Sequence, residues 1–516
     1  MKIALIRPPY VIPFHSVYGH KGVPPLGVVY LVSSLKSDGH DVTCIDAFAE
    51  AMDQFTRIDN TDLMANGLTT EEILNRIPAD VDMIGVSCMF SNEWINSSRL
   101  IRALGERFPN VFLSLGGEHV TADTEYILKQ YPEVHCCIRG EGEEKIRSLA
   151  MAVANGEKDP AKIDGVTYLN RSTGEVITNP FSYRIKEINE LPPPDWESIP
   201  LRNFLDRGMG MSMQGKRSIP MLLSRGCPYR CTFCSNENMW TPKWIPREID
   251  LVIPEIKSYI EKYKIEHIDF FDLTAVVNRN WTIAFCKRMI AEDLGITWAL
   301  PSGTRSEALD LEVLSLLRQS GCTKITYAPE SGSLKMSKAI KKNVNLKKML
   351  GSMKNAVDLG LIVKANIIFG FPDEDIRDVF WNFVFIVKMA WVGIHDVPCF
   401  GFTPYPGSAL FRRLLSEGKI KRDENYYEFL AHLVYTSPLD RVSWADNFPN
   451  WVMPMLSLGG MAFFYSCQYI FRPWRIIKLV KHVYQNKPQT MLEIAFTNMI
   501  EDFWKGRRKA TPVVSP

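Results

Sequence analysis

The 516-residue sequence carries almost no net charge, with 60 Lys and Arg against 58 Asp and Glu. Lacking a field of one sign, it has nothing to hold a polyanion such as DNA, and no nucleic-acid partner is expected. It opens MKIALIRPPY, without a long apolar leader followed by a small-residue cleavage site, and its eleven cysteines are ordinary for the length. A reducing, cytoplasmic setting is therefore expected. Most of the cysteines, such as Cys88, Cys286 and Cys399, sit in apolar stretches and read as core. No fixed-period repeat appears, which sets aside solenoids and propellers. Disorder is excluded too, because 46% of the residues are hydrophobic and the chain is long enough for about three units.

One absence is local. No formal charge falls between Asp446 and Arg472, a run of 25 residues. That is long enough to cross a bilayer, but Pro449, Pro454, Gly459, Gly460, Ser457, Ser466 and Gln468 interrupt it. Phe463, Phe464, Cys467, Ile470, Phe471 and Trp474 follow one-face helical spacing, so a packed or interfacial helix is expected, with room for peripheral membrane contact. The basic run Lys505 to Lys509 reads as a solvated tail.

What is present is alternation. KIALI (Lys2 to Ile6), VTCID (Val42 to Asp46), MIGVSC (Met83 to Cys88), VFLSLGG (Val111 to Gly117) and HCCIRG (His135 to Gly140) read as strands between helical segments. This predicts a parallel sheet covered by helices, with ligands at the carboxyl ends of its strands. The first strand leads into RPPYVIPFH and not into a Gly-x-Gly-x-x-Gly turn, so NAD is not expected. GVTYLNRSTGEVIT looks like a hairpin and LPPPDWESIP, from Leu191 to Pro200, like a linker. Six further strands are expected at Pro220 to Ser224, His267 to Asp272, Ile296 to Leu300, Lys324 to Ala328, Val363 to Phe369 and Val397 to Thr403. Six suit a partial barrel better than a closed eight-fold one.

SRGCPYRCTFCSN places Cys227, Cys231 and Cys234 as Cys-x3-Cys-x2-Cys just after the first of these strands. Three thiolates can hold a cubane iron-sulfur cluster and leave one iron open. Zinc is the competing reading and wants four tetrahedral ligands; the nearest histidines, His135 and His267, lie 92 and 33 residues from the triad's ends.

The cysteine spacing and its place resemble the radical S-adenosylmethionine (SAM) superfamily, over about Pro220 to Leu410. The resemblance implies a 4Fe-4S cluster on the three cysteines, SAM on the open iron, and reductive cleavage of SAM to methionine and a 5'-deoxyadenosyl radical. It implies that Phe233 packs near the adenine and that Asp272 ends the strand that holds the SAM amino group, mostly through backbone oxygens, although DLTA stands here where Gly-Gly-Glu is commoner. It places Ser302 and Arg305 by the SAM carboxylate, which a guanidinium can meet in planar two-point geometry. Glu330 and Ser331 in APESGS match the ribose position, where a carboxylate accepts from two hydroxyls. The resemblance also implies that Gly370 shapes the adenine side through backbone.

The first domain resembles cobalamin-binding domains. Ser87 and Met89, followed after 26 residues by Gly116 and Gly117, reproduce that family's Ser-x-Leu and Gly-Gly spacing with Met for Leu. Glu118, His119 and the run Arg139 to Glu144 are expected to border the cofactor or the domain junction. The family's Asp-x-His-x-x-Gly loop is missing; His15 and His20 fall in that region without its flanking pattern, and radical SAM enzymes with a cobalamin domain commonly lack it.

Together these features resemble cobalamin-dependent radical SAM enzymes, the group that includes the anaerobic magnesium-protoporphyrin monomethyl ester cyclase. The expected architecture is α/β, with a Rossmann-like cobalamin domain over residues 1–145 and a hairpin-bearing linker over 146–215. A partial (β/α)6 barrel over 216–415 and a mostly helical lid or substrate region over 416–516 follow. The implied reaction is methylation of an unactivated carbon of a hydrophobic small molecule, with oxidative hydroxylation or cyclisation as the alternative and a cobalamin-binding regulator as the remote one. A reductant such as flavodoxin or ferredoxin is implied as partner.

Overall fold

A computed structural model describes residues 1–14, 22–181, 184–212, 215–435, 442–485 and 488–505. His15 and His20 lie outside these residues, as does the basic run beyond Lys505.

The first sheet has seven strands, in the order Glu175–Thr178, Val166–Asn170, Cys136–Ile138, Phe112–Gly116, Met83–Ser87, Lys2–Arg7, Asp41–Asp46. The five that read as strands in the first 145 residues are parallel. Ile3 to Ile6 are buried without a break, as a strand covered on both faces requires. Lys2–Arg7 pairs with Asp41–Asp46 on one side and with Met83–Ser87 on the other, so successive connections leave in opposite directions from the gap between Arg7 and Ser87. Open α/β sheets form their ligand crevice at such a reversal.

The segment after residue 145 is not a free linker. Its hairpin strand Val166–Asn170 pairs antiparallel with Cys136–Ile138, extending the first sheet at its edge. A three-stranded antiparallel sheet, Tyr10–Pro13, Leu63–Asn66 and Phe55–Arg57, is a further addition that the strand pattern did not announce.

The second sheet has six parallel strands in chain order: Ser218–Met221, His267–Phe270, Thr297–Thr304, Cys322–Glu330, Ile362–Phe369 and Cys399–Gly401. They form the expected partial barrel, with helices between them. The third and fourth strands run past their expected ends, and their registers shift after Leu300 and Tyr327. Such irregularity at a strand's end re-aims side chains.

The 25-residue uncharged run supplies the helix Val452–Phe471, which packs on the barrel helix Ile376–Val392 through Phe463 against Phe383 and Phe471 against Trp391. The expected face is in part the buried one, since Phe464 is buried and Cys467 and Phe471 pack against the core, but the inward side is wider and turned from it. Met453, Ser457, Gly460, Phe464, Tyr465 and Gln468 face inward, whereas Ile470 is 75% exposed. Polar hooks set this rotation: Tyr465 donates to Asp396 Oδ1 at 2.7 Å and Gln468 Nε2 to Ile394 O at 2.8 Å. Gly460 lies so close to Cys399 that a Cβ would sit 2.9 Å from its Sγ.

The domains share their cores. Tyr10, Phe48 and Phe204 belong to one buried cluster with barrel residues Ile219, Phe270 and Trp298, and Trp94 and Leu115 to another with Phe371, Phe402 and Tyr427.

Candidate functional site

Gly226 precedes the first cysteine at φ +87°, and a Cβ there would lie 2.1 Å from Lys243 O. Only glycine fits so close a crossing, and it turns the chain into the cysteine loop. Cys227 and Cys231 are partly buried and Cys234 is exposed. Burial raises the thiol pKa of Cys227 and of Cys231, while Lys342 and Arg305 pull both down. Three thiols on one loop with two cations behind them fit an anionic iron-sulfur cluster. The histidines that zinc would need are engaged elsewhere. His267 is bonded to Ser212 Oγ at 2.9 Å and Thr297 Oγ1 at 2.8 Å, and His135 Nδ1 accepts from Leu113 N at 3.2 Å.

Lys342, which no sequence pattern singled out, organises the ground beside this loop. It is 7% exposed, its Nζ lies 3.1 Å from Glu330 Oε1, and it stands 6.0 Å from the Phe233 ring centre. Burial is the largest influence and works against its charge, but Glu330 and Cys231 together more than offset it and raise the ammonium pKa. Glu330 holds φ +61°, a left-handed conformation rare for a residue with a Cβ. Backbone strain of this kind collects at functional sites. Phe233 packs toward Phe371, 5.8 Å between ring centres.

Three of the expected SAM-site residues have side chains already engaged within the protein. Arg305 already has a carboxylate: its Nε and Nη2 donate to Glu307 Oε1 at 2.9 and 2.6 Å, Nη1 donates to Lys342 O, and the guanidinium stacks 3.8 Å over the Tyr229 ring. It therefore braces the cysteine loop. Ser331 is fully buried and donates to Asn382 Oδ1 at 2.8 Å, fixing the turn after Glu330. The Asp272 carboxyl accepts from Leu223 N at 2.9 Å and from Ser224 Oγ, so it ties the second barrel strand to the start of the loop; burial pushes its pKa up to about 6. Gly370, at φ +84°, donates its N–H to Glu374 and meets Met453 of the C-terminal helix.

A cavity of about 850 Å³ lies between the sheets' carboxyl ends. Ser87, Met89, Gly116, Gly117 and Glu118 line it from the first domain and Ser302 from the barrel. Gly117 has φ +114° with Cys88 O only 2.4 Å from where a Cβ would stand, so the strand ends approach as closely as backbone allows. Small residues over a wide slot suit a flat macrocycle such as a corrin. Glu93 also reaches this wall, a residue missed because nothing in sequence marks it; burial pushes its carboxyl up to about 8, with Arg7 pulling the other way.

His119 is turned away from the cavity. One residue advances a helix by about 100°, so Glu118 faces the cavity while His119 packs between Trp94 and Tyr427, ring centres 4.6 and 5.4 Å away, with Nδ1 2.9 Å from Ser91 Oγ. Burial lowers its pKa to about 3, which keeps it neutral.

The cavity and the cysteine loop adjoin. Arg225 and Gly226 line the cavity wall and lead directly into Cys227. Arg225 pairs with Glu141 at 3.1 Å and Glu143 at 2.6 Å, and Ser235, after Cys234, donates to Glu118. The acidic run Arg139 to Glu144 thus stands at the domain junction.

Comparison with known proteins matches the B12 binding domain family over residues 20–150 and the radical SAM superfamily over residues 221–380. An uncharacterized methyltransferase of Pyrococcus horikoshii, PH0819, is 28% identical over 417 residues, 80% of this chain and 82% of the relative. The anaerobic magnesium-protoporphyrin IX monomethyl ester cyclase of Rubrivivax gelatinosus is 24% identical over 452 residues, 87% of this chain and 76% of the relative. The solved structure of the cobalamin-dependent SAM radical enzyme OxsB with aqua-cobalamin and SAM bound has the same fold, with a TM-score of 0.66 at 15% identity, covering 98% of this chain and 75% of that one.

Proposed function

We propose that this chain, a cobalamin-dependent radical SAM enzyme that joins a B12-binding domain to a radical SAM domain, transfers a methyl group to an unactivated carbon of a hydrophobic substrate. The observation that carries the substrate class is the cavity wall. Met89, Phe90, Leu273, Phe400 and Leu458 all line it while between 36% and 51% exposed. Large apolar side chains left uncovered in one concavity are suited to an apolar ligand.

When bound, the cluster supplies the electron that cleaves SAM, and cobalamin relays the methyl group. The chain's own residues do the rest. Cys227, Cys231 and Cys234 hold the cluster, Glu330 accepts from the ribose hydroxyls of SAM with Lys342 fixing its carboxylate, and Ser302 borders the cavity from the third strand. Ser87, Gly116 and Gly117 let the corrin approach the strand ends, with Glu118 beside it. The helices Val452–Phe471 and Met491–Lys505 close one wall through Leu458, Met461 and Ile494, which excludes water from a radical step. The partners that accompany this reading are an electron donor of the flavodoxin or ferredoxin type and a membrane surface met by the C-terminal region.

Oxidative hydroxylation or cyclisation is the second reading, favoured by the match to the cyclase over 87% of the chain. SAM labelled in its methyl group separates the two. Methyl transfer yields labelled product with S-adenosylhomocysteine from one SAM, and 5'-deoxyadenosine with methionine from another. Product without label, with 5'-deoxyadenosine alone, would overturn methyl transfer.

A further inference from the structure

The helix Trp474–Tyr484 buries none of its residues. Its half-buried flank, Arg475, Leu479, His482 and Val483, is held to the protein by Arg475 Nη1 donating to Ile394 O at 2.7 Å and by His482 Nδ1, 3.0 Å from Glu493 Oε1. At about 100° per residue, Ile476, Ile477, Val480 and Tyr484 fall together on the outer flank. Ile477 is 73% and Tyr484 91% exposed. Trp391, Met455, Ile470, Met499 and Ile500 carry exposed apolar surface on the neighbouring helices. Soluble monomers rarely leave so much apolar surface uncovered in one region.

Charge selects what covers it. From Asn447 to Leu492 there is no Asp or Glu, while Arg472, Arg475, Lys478, Lys481 and Lys487 fall in that stretch. Lys478 and Lys481 are exposed and make no ion pair among the described residues. An apolar flank edged by unpaired lysines is the pattern of a helix lying in an anionic membrane surface, whereas the core of a protein interface is depleted in lysine. Among the described residues no helix is long and apolar enough to cross a bilayer, so the contact is with one leaflet.

We propose that this face docks on an anionic phospholipid bilayer and that a lipid-dissolved substrate passes from the bilayer into the cavity between the helices Val452–Phe471 and Met491–Lys505. Both helices have two roles. Leu458, Met461, Met491 and Ile494 line the cavity, while Met455, Ile470, Met499 and Ile500 face outward. Docking stands on the outer surface alone; the passage rests on the hydrophobic-substrate reading.

The test is co-sedimentation of the full chain with phosphatidylcholine vesicles, with and without phosphatidylglycerol. Binding to the anionic vesicles, weakening as salt rises, is expected. Ile477→Glu with Val480→Glu should lower it by more than about tenfold, and Lys478→Gln with Lys481→Gln should remove the preference for anionic lipid. Leu311→Glu, on the exposed side of a barrel helix, should change nothing. Equal binding by the Ile477→Glu, Val480→Glu variant, no binding by the unaltered chain, or a lipid-free dimer that the variant dissolves would overturn the proposal. Vesicle binding needs neither SAM nor substrate, so its failure is distinct from failure of the methyl-label experiment.

Discussion

The Arg225 guanidinium, two residues ahead of Cys227, meets the Glu143 carboxylate across the domain junction at 2.6 Å, with 5% and 7% of the two side chains exposed. Glu118 receives Ser235 at the loop's other end. The first domain therefore grips the cysteine loop on both sides, and the loop's shape depends on a domain that supplies no thiol to it.

Removing Arg225 should be felt in both places. Arg225→Ala leaves Glu141 and Glu143 buried with less compensation, which costs about 3–5 kcal/mol for a buried pair. Chemical denaturation should show that loss, and anaerobic reconstitution should retain less iron. A variant as stable and as iron-rich as the parent would dismiss the grip.

Reconstituted chain should hold about four irons, and Cys231→Ala should lose them together with the visible absorption of the cluster. Unchanged iron content in that variant would remove the cluster from these cysteines.

Glu330→Gln keeps the shape of the side chain but gives up its charge. Loss of a charged acceptor, worth about 1.5–3 kcal/mol, should weaken SAM binding roughly 10- to 100-fold, with cobalamin uptake unchanged. Equilibrium dialysis with SAM decides it; undiminished binding would place the ribose elsewhere.

Glu374 predicts a pH effect. Burial pushes its carboxyl up to about 8, against accepted bonds from Gly370 N and Asn382 Nδ2. A carboxyl raised in the folded state favours the fold at pH values below its unfolded pKa and loses that advantage as pH climbs through about 8. Glu374→Gln should flatten the decline in stability over that window. Parallel stability curves for parent and variant would show that Glu374 does not titrate there.

The sequence displayed those features whose signals are local. Cysteine spacing, six strand segments and the Gly116–Gly117 pair all surfaced in the fold near where they were read. What it could not display is direction. Arg305 had the right residue type for a carboxylate partner, but Glu307, two residues on, took it. His119 and Glu118 are neighbours in chain and face opposite ways. Lys342 and Glu330 stand 12 residues apart with no shared motif, and only the left-handed turn at Glu330 and the helix after it bring them together. The rotation of Val452–Phe471 was likewise set by Asp396 and Ile394, residues far away in sequence.

The shared cores make assembly a matter of timing. Parting the two domains would bring Tyr10, Phe48, Trp94, Phe371 and Tyr427 toward water, at about 25 cal/mol for each Å² uncovered. A corrin seated between the sheets would thus lie against the same contacts that finish the fold. Its retention would then depend on the folding of both domains and not of either alone.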